Sequence, residues 1–516
     1  IAADSAQRLQ AAVTFELSHN ENNGHVFLPR NKLISATTQL LDSGAELVEQ
    51  ALDSLIERGA VVQEQVANVE ACYLRRLWEA ESSACARLLA LLVMDADQSR
   101  YAERTVAEIE REQGITYAPL QRQAVELAAR TGVLVLTGGP GTGKTTTVRG
   151  IVALFRRMGL EIVLAAPTGR AAKRMSELTG GMEAQTVHRL LGMSWNEATH
   201  QVTFQKTEKE PLEAEAVIVD EMSMVDVPLF SALLRALRPG TRLVLVGDAD
   251  QLPSVGAGNV FSDLIRSGRV ETVFLREVFR QAEQSAIIRN AHAVNLGQPP
   301  QLANNQGDFF FLCRRDGERT LSTVVELCKT RLPDHMGIPA DQIQVLTPTR
   351  KGPSGTENLN RCLQAALNPP AADKREIQWG ERLFRTGDRI MQTKNNYNVV
   401  WEKADGTVGT GMFNGDVGRI VEIDPSGELL VVNFDDRIAT YTLDMLNEID
   451  LAYAMTVHKA QGSEYQCVVL AAMPAAPSLM VRGVLYTALT RARELLIVVG
   501  DDAAIRAMAA NDRQQR

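Results

Sequence analysis

With 516 residues and a formal net charge of −9, the chain has room for several domains and lacks the basic excess of a protein that coats nucleic acid non-specifically. No apolar run approaches the roughly 20 residues of a membrane span, and Ile1-Ala2-Ala3-Asp4 has no basic-then-apolar leader pattern, so a cytoplasmic protein without membrane contact is expected. The six cysteines, Cys72, Cys85, Cys313, Cys328, Cys362 and Cys467, form no C-x-x-C pair and have no histidine at metal-ligand spacing, which argues against zinc or disulfide frameworks and for reduced core thiols.

Residues 1–112 are rich in Ala, Leu and Glu and read as an accessory helical domain. Within them, Leu47-Val48 to Leu55-Ile56 has helical spacing, stops at Gly59 and leads into Val61-Val62. That helix-then-strand step fits a winged helix, and a plain helical packing domain fits it equally well. The chain starts without Met, so further sequence upstream is expected.

From about Tyr117 strands alternate with helices: Val133 to Leu136, Glu161 to Ala166, Ala216 to Val219 and Leu243 to Gly247. Such alternation predicts an α/β fold, a parallel sheet with helices on both faces and ligands at the carboxyl ends of its strands. A short stretch, 192–211, carries Trp195 and Val202-Thr203-Phe204 around a polar turn and predicts a projecting hairpin. A second α/β region follows, assigned to 282–380 and 448–516, with strands at Gln344 to Leu346, Cys467 to Leu470 and Leu495 to Val499. Between its halves, 381–447 has short β-rich runs broken by Pro425-Ser426-Gly427 and reads as an inserted small barrel. The charged tail from Asn511 is expected to fray.

The chemistry is concentrated in Gly138-Gly139-Pro140-Gly141-Thr142-Gly143-Lys144-Thr145, with Thr146 next to it. A strand before and a helix after supply the context of a phosphate-binding loop. Its glycines let backbone N–H groups close around phosphate oxygens; Lys144 reaches the β/γ-phosphates of ATP and Thr145 a magnesium ion. Val217-Ile218-Val219-Asp220-Glu221 delivers two carboxylates at a strand end, Asp220 for magnesium and Glu221 for the attacking water. Gln251, in the loop that runs from Gly247 to Pro253, has an amide able to sense the γ-phosphate. Arg280 and Arg491 are the two candidates for the charge that must meet the transferring phosphoryl group.

Taken in order, these motifs resemble those of superfamily 1 helicases. Beside those named, they include Gln121, Ala166-Pro167-Thr168-Gly169-Arg170, Thr186-Val187-His188, Val278 to Gln281, Thr456 to Glu464 and Tyr486 to Arg493. The nearest likeness is to the RecD-like branch, the exodeoxyribonuclease V alpha subunit and its stand-alone relatives. The resemblance implies two RecA-like domains, 113–281 and the split second region, a strand-separating hairpin and an SH3-like barrel. It implies that Gln121 recognises adenine, that Pro167, Thr168 and Arg170 lie near DNA, and that His458, Lys459 and Gln461 couple strand contacts to the nucleotide. It also implies an ATP- and magnesium-dependent DNA helicase moving 5′ to 3′ on single-stranded DNA in repair or recombination, with duplex junctions as substrate and a nuclease or single-strand-binding protein as partner. The region ahead of Tyr117 departs from the subunit of the multi-subunit nuclease and fits a stand-alone relative better.

Loop position adds Thr186, His188, Lys394, Asn395, Asn396 and His458 as strand contacts. His188 beside Leu190-Leu191 also suits helix packing, and Tyr397 and Trp401 suit either base stacking or the barrel core. Two other readings share the ATP site: an RNA-directed motor of the same superfamily, and a non-unwinding translocase or switch subunit of a nuclease complex. No further carboxylate cluster of the kind a metal-dependent nuclease needs occurs in the sequence.

Overall fold

The computed structural model describes residues 5–93, 99–196, 201–279, 284–302 and 307–513. Two parallel sheets organise it. In the first, the spatial order is Glu271–Leu275, Val133–Gly138, Arg242–Gly247, Ala216–Val219, Ile162–Ala166, Ala184–Thr186. Every pairing in it is parallel. Its strands are near-continuous apolar runs because both faces are covered. Val133, Val135, Val217, Val219, Leu243 and Leu245 pack on the helices Val227–Ala236 and Arg75–Leu92. The alternate residues Leu134, Leu136, Ile218, Val244 and Val246 pack on Pro119–Arg130 and Lys144–Arg157.

The second sheet runs Phe309–Cys313, Ala492–Gly500, Tyr465–Ala472, Ile343–Thr347, Ala454–Thr456, again all parallel. Leu346, Val468, Leu470, Leu496 and Val498 face the helices Ala286–Asn295, Arg482–Leu489 and Asp502–Ala510. Val345, Cys467, Val469 and Ile497 face Gly317–Glu326 and Thr356–Leu367.

A seven-stranded antiparallel sheet interrupts this second unit, from Arg389–Gln392 to Ile449–Leu451. It curls around Phe384, Ile390, Trp401, Val432, Phe434 and Tyr441. Residue 381, where the insertion was expected to start, falls at the turn of a hairpin pairing Glu376–Trp379 with Arg382–Arg385. Trp401 is buried in this core, with Arg437 5.8 Å from its ring, so it seals the barrel. Tyr397 is half-buried and meets Phe413 edge-on at 5.8 Å. The hairpin expected at 192–211 pairs Met193–Asn196 with Gln201–Phe204.

The amino-terminal region is not purely helical. Helix Ala6–Glu21, strand Phe27–Pro29, helices Arg30–Leu41 and Ala45–Glu57, and strands Val61–Val66 and Val69–Leu74 follow one another, with a three-stranded antiparallel sheet among them. That element order is a winged helix. Its third helix exposes Glu46, Glu49, Asp53 and Glu57, and Glu49 and Asp53 both pair with Arg30. An acidic face of this kind repels phosphate rather than reading DNA. The next helices, Arg75–Leu92 and Ser99–Gln113, pack on the first sheet's helical layers. Cysteine burial departs from expectation: Cys72, Cys328 and Cys467 are in the core, whereas Cys85 and Cys313 are exposed. No described helix is long and apolar enough to cross a membrane.

Candidate nucleotide cleft

Strand Val133–Gly138 ends in the glycine loop, and helix Lys144–Arg157 begins directly after it. Gly141 and Gly143 have φ of +75° and +78°, a region that residues with a side chain rarely adopt, so the loop can turn its N–H groups inward only with glycine there. Gly138 is required by space: a Cβ on it would stand 2.6 Å from Thr142 Oγ1 and 2.8 Å from the Leu275 carbonyl. Thr142 Oγ1 donates to the Gly139 carbonyl at 2.8 Å, and the Lys144 ammonium donates to the carbonyls of Gly138 and Gly139.

A cavity of about 340 Å³ opens over this loop. Gly139, Pro140, Gly141, Thr142, Gly143, Lys144 and Thr145 form one wall, with Asp220, Glu221 and Gln251 beside them. Glu464, Thr490 and Arg491 close it from the second sheet. Thr146 is exposed and outside this wall. Gln121 is buried against the loop, its amide accepting from Ala118 N–H at 3.0 Å and donating to the Gly143 carbonyl at 3.2 Å. A Cβ on Gly143 would collide with both Gln121 and the half-exposed Phe279 ring, which also lines the cavity. Arg280 lies outside the described residues.

The two carboxylates sit under strain and repulsion. Glu221 has φ of +54°, and its N–H donates to Asp220 Oδ1 at 2.8 Å. Burial, and then the neighbouring Glu221, push the Asp220 carboxyl up to about 6. Arg491, only 2% exposed, is held entirely by carbonyl and hydroxyl oxygens: Thr487 O at 3.2 Å, Ser463 O at 3.0 Å and Thr490 Oγ1 at 3.3 Å. No described carboxylate forms an ion pair with it, and it lines the same cavity as Asp220, Glu221 and Glu464.

Several side chains join the two halves; Gln251 and Gln461 were expected at the site from sequence, whereas Arg174 and His292 were not singled out. Tyr486 OH donates to Asp248 Oδ2 at 2.7 Å, the oxygen that also accepts from Gln251 Nε2 at 3.3 Å. Burial pushes the Asp248 carboxyl up, with Lys144 and Tyr486 opposing that shift. Leu252 N–H donates to Thr487 Oγ1 at 2.9 Å, and Gln461 Nε2 donates to the Leu252 carbonyl at 2.6 Å. Arg174 pairs with Glu464 at 2.6 Å, and the His292 ring meets the Pro140 carbonyl at 3.3 Å. Motif membership named Tyr486; only the packed structure gives its hydroxyl a partner.

The DNA-contact candidates gather beside the cleft. Ala166 and Thr186 are register partners on adjacent strands, which brings Pro167, Thr168 and Arg170 next to Thr186 and His188. Thr168 and Thr186 each cap the following helix, accepting from Ala171 N–H at 3.3 Å and Arg189 N–H at 3.1 Å. A Cβ on Gly462 would lie 3.0 Å from Thr168 Oγ1, and one on Gly169 would lie 3.4 Å from Asp416 Oδ1, so this loop touches both the second sheet and the barrel. Arg170 donates to Tyr465 OH at 3.3 Å and lies 5.7 Å over that ring. Asn395 Oδ1 accepts from Asn414 N–H at 2.9 Å, and Asn396 Nδ2 donates to Glu448 Oε2 at 2.7 Å. His188 and His458 are half-buried, and burial holds the His188 imidazole down at about 4, neutral at physiological pH.

Known domain families match along the chain in order: an AAA domain at 121–257, the ATP-dependent RecD-like DNA helicase SH3 domain at 359–434 and the UvrD-like helicase C-terminal domain at 451–499. The chain is 34% identical over 525 residues to the ATP-dependent RecD2 DNA helicase of Deinococcus radiodurans, an alignment that covers all of this chain and 68% of that protein. It is 32% identical over 474 residues to the RecBCD enzyme subunit RecD of Mycobacterium tuberculosis, covering 85% of this chain and 77% of that one. A crystal structure of Bacteroides Pif1 bound to ssDNA aligns at 18% identity with a TM-score of 0.44, over 74% of this chain and 92% of that one. By its full-length identity to a relative of which it spans more than two thirds, the chain belongs to the RecD-like family of superfamily 1 DNA helicases.

Proposed function

We propose that the chain hydrolyses ATP in this cleft to move 5′ to 3′ along single-stranded DNA and to open the duplex ahead, in DNA repair or recombination. The observation that carries the reading is the two-sided cavity: the phosphate loop and acids belong to one sheet, and the buried Arg491 belongs to the other. Hydrolysis then depends on closure, which is how a chemical step becomes movement. Direction rests on the family relationship.

In this reading Lys144 and the loop amides hold the phosphates, Glu221 and Gln251 position the attacking water, and Arg491 with Arg280 meets the developing charge. Gln121 reads the adenine edge, and Phe279, exposed beside it, offers a ring for the base to stack on. The donors present suit magnesium: the Asp220 carboxyl, crowded by Glu221 and driven up by burial, is relieved by a cation, and Thr145 supplies a hydroxyl to the same cavity. A bound magnesium would neutralise phosphate charge and orient the leaving group. Pro167, Thr168, Arg170, Thr186, His188, Asn395, Asn396 and His458 line the strand path, and the hairpin Met193–Asn196 and Gln201–Phe204 parts the duplex. His188 contributes there as a neutral hydrogen-bonding group. The substrates are single strands and duplex junctions, with a nuclease or single-strand-binding protein as partner.

The test is ATP-dependent unwinding of duplexes carrying a 5′ or a 3′ single-stranded tail, with Lys144→Ala as the inactive control. Unwinding from the 5′ tail alone is expected. Unwinding from the 3′ tail alone overturns the direction, and DNA-stimulated ATPase without unwinding overturns the helicase activity of this chain in isolation.

A further inference from the structure

A second cavity, about 310 Å³, lies where the barrel insertion meets the second parallel sheet. Its polar wall is cationic: Lys374, Arg389 and Arg419 line it, with Asp341 as the lining carboxylate. Arg389 and Arg419 are direct register partners on adjacent antiparallel strands. Like charges placed opposite one another across two strands destabilise a sheet unless something sits between them.

Asp341 and Tyr465 act on Arg389 electrostatically, but no described carboxylate forms an ion pair with Arg389, Arg419 or Lys374. Arg389 Nη1 reaches only the carbonyls of Ile343 and Asp341, at 3.4 and 3.5 Å. Arg419 Nη1 donates to the Gly387 carbonyl at 3.0 Å, and Lys374 Nζ to Asn368 Oδ1 at 2.6 Å and the Pro369 carbonyl at 3.3 Å. Burial first, and then the neighbouring Arg170 and Arg419, push the Arg389 guanidinium down to about 10, with Tyr465 and Asp341 opposing the shift. Three cations around one cavity, two of them planar forks with donors to spare, match the geometry of an oxyanion with several acceptor oxygens.

We propose that this pocket binds a phosphate group, bridged between Arg389 and Arg419 with Lys374 as a third donor. The phosphate comes either from the backbone of the bound single strand or from a free phosphate. The strand source rests on the helicase reading, since Arg170 of the strand-contact loop lies within electrostatic reach of Arg389; the pocket itself does not rest on it.

The experiment titrates inorganic phosphate against the full chain carrying Lys144→Ala, which weakens the phosphate loop's own affinity, and follows thermal unfolding at constant ionic strength set with chloride. A phosphate-specific rise in midpoint is expected, lost in Arg389→Gln, Arg419→Gln and Lys374→Gln. Arg419 is exposed, so its variant keeps the test sound if the Arg389 variant does not fold. No phosphate-specific rise, or a rise that survives all three substitutions, overturns the site. Single-strand binding of the otherwise wild-type chain and of Arg419→Gln, across a salt series, then separates the sources. A salt slope shallower by roughly 0.7 assigns the pocket to a strand phosphate, and an unchanged slope with a lost phosphate response assigns it to a free anion. Failure of the helicase reading would show as absent unwinding with the phosphate response intact.

Discussion

The two parallel sheets meet the nucleotide cleft with opposite edges. The first contributes residues that directly follow its strands: the glycine loop after Val133–Gly138, Asp220 after Ala216–Val219, Asp248 after Arg242–Gly247. The second contributes residues that directly precede its strands: Glu464 before Tyr465–Ala472 and Arg491 before Ala492–Gly500. Carboxyl ends of parallel strands lead into helix N-termini, where N–H groups and short acids can be arranged locally around phosphate and metal. A guanidinium arriving from the other sheet cannot be set by local sequence, because its position depends on how the two halves pack. The contrast teaches that holding the nucleotide and cleaving it are assigned to different halves of the molecule.

Substitutions at Arg491 put that division under the greatest strain. Arg491→Ala is expected to lower DNA-stimulated kcat by about 10³-fold or more, with fluorescent-nucleotide affinity changed only a few-fold. Comparable losses in both would show that the second half also binds the ground state. On the first sheet, Glu221→Gln is expected to cost about 10²-fold or more in kcat while nucleotide binding persists, measured by single-turnover hydrolysis; undiminished hydrolysis would remove Glu221 from the chemistry. Tyr486→Phe deletes the hydroxyl that holds Asp248 across the cleft. A hydrogen bond to a charged group is worth about 1.5–3 kcal/mol, so a loss of roughly tenfold in kcat at unchanged KM is expected, and a rise in KM alone would assign Tyr486 to binding instead.

The smallest expected effect concerns His188, which sharpens the comparison between strand contacts and packing. Its folded value of about 4 lies below the ordinary 6.5, so the unfolded chain takes up the proton first as pH falls. The stability tied to a neutral His188 is therefore complete above about 6.5 and is lost as pH drops from there towards 4. His188→Asn should flatten the dependence of the unfolding midpoint on pH in that window, and an unchanged slope would place the imidazole in solvent.

Legibility divided along the same line as the chemistry. Gly138 to Thr145, Asp220-Glu221 and the Gly247 to Pro253 loop were readable because each works through a few consecutive residues between a strand and a helix. Helical spacing in Ala45–Glu57 suits any packed helix, and only the pairing of Val69–Leu74 with both Val61–Val66 and Phe27–Pro29 decides for a winged helix. Trp401 was equally open: aromatic character serves stacking and cores alike until the barrel closes around it. The Asn395 and Asn396 side chains proved to be engaged by Asn414 and Glu448, partners far along the chain that no local pattern names.

By itself the sequence determined that this is an ATP-using α/β protein with a phosphate loop, two paired acids and the ordered motifs of a superfamily 1 motor, because those properties reside in residue types at short fixed spacings. Only the tertiary structure decided which groups face one another across the cleft, Tyr486 with Asp248 and Arg174 with Glu464, and that Arg389 is set against Arg419 beside a cavity. Such meetings are products of strand register and of packing between distant segments, and neither is written in the spacing of neighbours.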